Sequence, residues 1–192
     1  MGLVTVTRAK QNAALANLTT SHLQNWIEAA SDAIEGWCDR VFTSTAYTET
    51  QDGNGLHWLY VYNPPIISLT SVQIIDSSED TETILADQFR YGGDAGEIVF
   101  KPTNSSSYSV FPEERRNIVV NYTGGYATIP DDIQEAVVQT IQEMYKVTNT
   151  KNPGLKQIRL GEYSETRAAA SEVVAVTPSI LSLIGRYRRV EV

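Results

Sequence analysis

The sequence predicts an α+β protein: a small helical bundle from N- and C-terminal helices, with an inserted antiparallel β module and an extended C-terminal arm. Two segments about a hundred residues apart place apolar residues at helical spacing. Residues 46–126 alternate short strand-like runs with turn residues, residues 155–164 are weakly patterned, and residues 165–177 show no clear period. The predicted domains are 1–45 (N-terminal helices), 46–126 (β module), 127–150 (a long helix packing on 21–40) and 151–192 (the arm, ending in a short helix).

The first strong helix is predicted over residues 21–40. Ser21 and Gln24 fit a capping box, in which the hydroxyl accepts from the first turn and the amide reaches back. The apolar stripe that follows contains Trp26, Ile27, Ile34 and Trp37. Two tryptophans on one short helical face are typical of a core or of an interface with another protein.

The second strong helix follows the two glycines that end a strand at Gly124-Gly125. Pro130 suits a first helical turn, and Asp131 and Asp132 place negative charge at the helix N-terminus. Its apolar stripe contains Ile133, Val137, Ile141 and Met144. We expect the two stripes to pack together as a helix-pair core, or to form an interface between copies of the chain.

The β module is predicted from residue 46 to residue 126. Asp52-Gly53-Asn54-Gly55 is a hairpin signal, after which Leu56–Tyr62 reads as a strand. The other predicted strands are 66–75, 89–91, 98–100 and the run that ends at Gly124. Residues 77–83 read as an acidic turn, and the serine-rich segment 103–109 reads as a mobile loop tip.

The C-terminal arm combines positive charge with a short amphipathic helix. Residues 151–192 contain seven Lys/Arg and four Asp/Glu, a net charge of +3, within a chain of net charge −8. Ile180, Ile184 and Tyr187 are the apolar residues by which this helix would attach to another surface, and Arg186, Arg188 and Arg189 are the polar ones. Such a short helix cannot fold alone, so it must lie on its own body or on a neighbouring protein. The arginines fit either the charge preference of a helix C-terminus or a docking surface.

The composition excludes several classes of protein. A net charge of −8 argues against wrapping DNA through a broad basic surface. The single cysteine, Cys38, excludes an internal disulfide, and no apolar run reaches the ~20 residues that span a bilayer. We expect no membrane association, no metal and no cofactor.

The sequence offers no converging catalytic set. His22 and His57 lie outside any paired metal motif, and the glycine pairs lack the Lys-Ser/Thr of a phosphate-binding loop. Asp131 and Asp132 are better explained by the helix N-terminus. We therefore expect no enzyme. The alternative is a small carbohydrate-active hydrolase that uses carboxylates such as Asp52, Glu97 or Asp131.

Three segments resemble phage head–tail connector (adaptor) proteins of long-tailed phages. They are WIEAASDAIEGWCDRVF at 26–42, DGNG with LYVYNPPIISLTSVQI at 52–74, and VVNYTGGYATIPDDIQEAVVQTIQEMY at 119–145. GEYS at 161–164 and RYRR at 186–189 are similar more loosely. The resemblance extends over nearly the whole chain in the right order.

The resemblance implies a structural virion protein of the neck, present in the host cytoplasm during assembly. Such proteins form a homo-oligomeric ring of about a dozen copies that joins the portal protein at the capsid vertex to the next neck or tail protein. The ring extends the channel through which double-stranded DNA passes. Residues 178–189 would dock on the portal, and the acidic β module would face DNA or the next neck protein. The alternative within the neck is a tail-completion ring.

Overall fold

The computed structural model describes residues 2–103, 105–148, 157–160, 163–166 and 177–188. The chain divides into two compact units. The helical unit comprises Met1–Arg40 and Ile129–Val192, and the β unit comprises Val41–Thr128. The predicted α+β class is confirmed. No helix among the described residues combines the length and the apolar character needed to cross a bilayer.

The helical unit, where it is described, contains four helices and a small hairpin. The helices are α1 (Val6–Lys10), α2 (Thr20–Cys38), α3 (Asp131–Thr148) and α4 (Pro178–Ile184), and a 3-10 turn follows at Gly185–Tyr187. α2 contacts both α1 and α3, and α3 also contacts α4. A pair of short strands, Gln157–Leu160 and Tyr163–Thr166, forms the antiparallel hairpin.

The start of α2 differs from the prediction. Thr19 is the N-cap residue in an extended conformation, and Ser21 already lies inside the helix, so the predicted capping box does not form. The helix ends as Asp39 adopts a left-handed conformation, with φ of 48°. The N-terminal segment is hydrogen-bonded to α2 at Leu3, whose amide donates to Ser31 Oγ at 2.9 Å. The Ser31 hydroxyl in turn donates to the Ile27 carbonyl.

The β unit is a sandwich of two antiparallel sheets. The first sheet has the order β1-β7-β3-β4, and the second has the order β2-β6-β5. The strands are β1 (Thr45–Gln51), β2 (Trp58–Tyr60), β3 (Ile66–Ile75), β4 (Thr81–Leu85), β5 (Phe89–Gly92), β6 (Glu97–Phe100) and β7 (Ile118–Gly124). Their inner faces share one core of buried side chains, in which Phe89, Phe100 and Phe111 pack ring against ring.

The glycine-rich turn at residues 52–55 does not close a hairpin, so that prediction is wrong. β1 pairs with β7, and β2 pairs with β6 in the other sheet. The turn is instead bonded to the loop before β7: Gly53 N donates to Glu114 O at 2.9 Å, and Gly55 N donates to Phe111 O at 2.7 Å. A Cβ atom on Gly53 would lie 1.7 Å from the Pro112 carbonyl oxygen, so only glycine fits there.

Strand β4 was missed because its residues, TETIL, follow an acidic segment and look like part of a turn. The serine-rich segment beside it is hydrogen-bonded to its neighbours. Ser105 N donates to Gln88 Oε1 at 2.7 Å, and Ser106 Oγ donates to Glu82 Oε1 at 2.7 Å. The Ser106 hydroxyl lowers the pKa of the Glu82 carboxyl, so this carboxylate is ionised at neutral pH.

The Glu49 carboxylate is buried in the β unit, and donors surround it. It accepts from the Tyr122 hydroxyl, from Asn63 Nδ2 at 2.7 Å, from Tyr62 N at 2.9 Å and from Gln51 Nε2 at 3.3 Å. Burial, reinforced by the bond to Glu49, raises the pKa of Tyr122 above its ordinary value. The network ties the loop after β2 to strands β1 and β7, and it satisfies the charge that burial would otherwise make costly.

Candidate partner-docking site

The helix pair brings together the apolar residues that the sequence singled out. On α2, Ile27 and Ile34 are buried and Trp26 and Trp37 are half-buried. On α3, the buried residues are Ile133, Val137 and Ile141, and Met144 is half-buried. The Trp26 ring meets Tyr145 edge-on, with 6.1 Å between centroids. Tyr145 was not among the predicted residues, although it directly follows the last member of the stripe.

The α4 segment lies on its own chain. Ile180, Ile184 and Tyr187 are 1%, 0% and 8% exposed, and α4 contacts α3. The resemblance implied that these three residues anchor the segment on the portal, whereas in the described residues they are covered by the protein's own helical unit. The amphipathic spacing correctly marked a buried face, but spacing alone does not identify what covers that face.

The arginines of this segment differ in their surroundings. Arg186 pairs with the Asp132 carboxylate in the first turn of α3, and its guanidinium lies 4.7 Å from the Tyr187 ring centroid. The guanidinium of Arg188 lies over Trp37, 5.4 Å from the ring centroid. Arg189 lies outside the described residues. Both arginines are exposed, and each guanidinium group lies close to an aromatic ring at the surface.

The comparisons with known proteins identify the family. The profile of the head completion protein family matches residues 2–190. The chain belongs to this family. The resemblance to phage head–tail connector proteins is therefore confirmed. No curated protein matches the sequence.

Solved structures share the fold of this head completion protein. One is a chain from the neck of a native gene transfer agent particle computed with C12 symmetry, with a TM-score of 0.56, 18% identity, and coverage of 100% of this chain and 96% of that one. Another is from the neck of the empty particle computed with C6 symmetry, with a TM-score of 0.53, 17% identity, and coverage of 92% and 82%. A third, from the virion of the native particle, has a TM-score of 0.52, 17% identity, and coverage of 92% and 81%.

The described residues of this head completion protein give the hydrolase alternative little support. Asp52 Oδ1 accepts from Arg116 N at 2.7 Å, Glu97 opens β6 opposite Tyr60, and Asp131 belongs to the helical unit. A depression of about 370 Å³ does contain two carboxylates, Glu82 and Asp87. A catalytic acid needs a raised pKa, whereas the pKa of Glu82 is lowered. Within the described ranges, no group of His, Cys, Asp and Glu could hold a metal ion.

Proposed function

We propose that this protein is a structural, non-enzymatic component of a virion neck, where copies of it form a ring that joins the head to the tail. The observation that carries the proposal is the family match over residues 2–190. The fold it shares with neck structures computed with C6 and C12 symmetry supports a ring, since closed rotational symmetry is the usual form of such assemblies. The C12 symmetry of one of these necks supports a ring of about a dozen copies.

We propose further that the exposed arginines of residues 178–189 dock on the portal protein. Ile180, Ile184 and Tyr187 hold the segment on the helical unit. Arg186 and Arg188 are exposed although they also contact Asp132 and Trp37 of that unit, so part of each guanidinium group faces solvent. Guanidinium groups bind carboxylates in two-point hydrogen bonds, so the portal surface that fits them is acidic.

The test is the double substitution Arg186→Ala/Arg188→Ala. Because the Arg186 side chain is 66% exposed, its ion pair contributes at most about 1 kcal/mol, and the fold should persist. Deleting residues 178–192 is a less specific test, because it also removes the buried side chains of Ile180, Ile184 and Tyr187. We expect the double variant to retain its thermal unfolding temperature and to lose attachment to portal-bearing capsids in a sedimentation assay.

The matched control is Arg8→Ala/Arg115→Ala, which removes the same charge from two other exposed positions. This control should attach normally. Normal attachment of Arg186→Ala/Arg188→Ala would reject the portal-docking proposal and leave the neck assignment in place.

We propose that part of the β unit faces the DNA channel or the next neck protein. Residues 46–126 contain four Lys/Arg and eleven Asp/Glu, a net charge of −7. An acidic wall repels phosphates, so a duplex slides past it instead of binding. Cryo-electron microscopy of the assembled neck tests this placement. A β unit that points outward and touches neither DNA nor a neck protein would contradict it.

A further inference from the structure

The outer face of the four-stranded sheet has no charged side chain in its two central rows. One row runs Thr48, Asn121, Ser71, Leu85 across the four strands, and the next runs Thr50, Val119, Gln73, Thr83. We name these eight residues the threonine face. Side-chain bonds join its strands: Thr48 Oγ1 donates to Asn121 Oδ1 at 2.7 Å, and Gln73 Nε2 lies 3.5 Å from Thr83 Oγ1.

This face is accessible, although its composition is unusual for the surface of so acidic a unit. On its two edge strands, Leu85 is 61% exposed and Thr48, Thr50 and Thr83 are also exposed. On the two central strands the residues of this face are half-buried, except for Ser71, which is buried. Residues 46–126 have a net charge of −7, yet none of it lies on these two rows. Charged residues are depleted at the centres of protein interfaces. Two copies of an acidic unit repel each other, and they can approach most closely through a surface without charge.

The opposite side of the sandwich has different chemistry. Trp58 and Tyr60 point outward from β2 with their ring centroids 5.2 Å apart, and Tyr60 is 46% exposed. Val99 lies opposite Trp58 on β6. We name these three residues the aromatic face. Arg90, opposite Val99, and Glu97, opposite Tyr60, lie beside it and provide one charge of each sign. Tyrosine and tryptophan are enriched at interfaces because they bury a large area at a low cost in conformational entropy.

We propose that the threonine face of one copy packs on the aromatic face of the next copy around the ring. The inference rests on the proposed ring, and it assigns the surfaces that build it. Because the two faces differ and lie on opposite sides of one sandwich, the contact is head-to-tail and can repeat through every copy. A closed ring requires an interface of this type.

The first test adds charge to the threonine face with Thr50→Glu/Thr83→Glu. The matched control, Ser77→Glu/Ser78→Glu, adds the same charge at exposed turn positions of the same unit. Native mass spectrometry with purified portal counts the bound copies. We expect a loss of at least about tenfold in assembled rings for the threonine-face variant and none for the control, because two carboxylates lose their water at every contact and the facing surface has no net positive charge to pair with them. Wild-type copy numbers in both variants would overturn the assignment.

The second test does not depend on a disruptive substitution. Thr83→Cys/Tyr60→Cys places one thiol on each face, and a bismaleimide should join assembled copies into a ladder of multimers. Burial raises the pKa of the natural thiol, Cys38, to about 11, so the parent chain and each single variant serve as clean controls. Rings of normal copy number that give no ladder would overturn the face assignment.

The two tests separate this inference from the function on which it rests. If Thr50→Glu/Thr83→Glu forms rings as completely as the wild-type chain does, the assignment of the two faces is wrong and the proposed function stands. A wild-type chain that stays monomeric in the presence of portal contradicts the proposed function, and the face assignment with it.

Discussion

The helical unit and the β unit use their apolar residues in opposite ways. In the helical unit, the stripes of α2, α3 and α4 bury one another, and the exposed residues of α4 are mainly polar. In the β unit, one core is buried between two sheets while Tyr60 and Leu85 stay exposed on outer faces. An amphipathic pattern therefore shows that a face is covered, and only the fold shows whether the cover comes from the same chain.

The largest expected effect is in the β-unit core. Phe111→Ala removes a fully buried ring that packs 4.8 Å from Phe100, centroid to centroid, and should lower the free energy of unfolding by about 3–5 kcal/mol. Urea unfolding measures the loss, and hydrogen exchange should rise in peptides from residues 41–128. The control, Val110→Ala, alters an exposed neighbour and should change stability little. A loss below about 1 kcal/mol for Phe111→Ala would mean that the core collapses around the cavity.

A smaller loss is expected in the helical unit. Ile184→Ala truncates a buried side chain of α4 and should cost about 2–4 kcal/mol, with faster exchange in α3 peptides. Ser182→Ala, on the exposed side of the same helix, is the control. If Ile184→Ala leaves stability unchanged, α4 does not lie on α3 in solution, and the contrast between the two units disappears.

An intermediate loss of stability is expected when the buried carboxylate of Glu49 loses one hydrogen-bond donor. Tyr122→Phe removes the hydroxyl that donates to Glu49 and accepts from Asn63 N at 3.0 Å. A buried charge that loses one donor should cost about 1–3 kcal/mol in unfolding free energy. Tyr60→Phe alters an exposed hydroxyl and provides the baseline. Equal stability of the two variants would show that the remaining donors of Glu49 suffice.

The smallest effect concerns the serine-rich segment and acid stability. The pKa of Glu82 is lower in the folded state than its ordinary value. The ionised Glu82 therefore stabilises the folded protein fully at pH values above that ordinary pKa, and this stabilisation is lost as the pH falls through the folded-state pKa. Ser106→Ala should raise the Glu82 pKa, measured by NMR titration, and weaken this acid dependence. Solvent screening keeps the change below about 1 kcal/mol. Ser105→Ala, whose hydroxyl bonds to Gln88, should leave the Glu82 titration unchanged.

Sequence patterns predicted the helices better than the sheet. The 3.6-residue period is local, so the stripes through Ile34 on α2 and Ile133 on α3 were visible without knowledge of their partners. Strand pairing is not local: β1 pairs with β7 about seventy residues away, which left the glycine turn after β1 open to a wrong hairpin assignment. The Asp132 ion pair with Arg186 was equally invisible, since it joins positions 54 apart in the chain.

The division of the chain into one continuous and one discontinuous unit has a consequence for synthesis. The β unit is complete once residue 128 has left the ribosome, whereas α2 must wait for α3 and α4. At usual elongation rates, the wait from Cys38 to Asp131 lasts on the order of 5 to 20 s. Throughout that interval the stripe of α2 lacks the surface of α3 that covers it in the folded protein, and a chaperone would bind the nascent chain there.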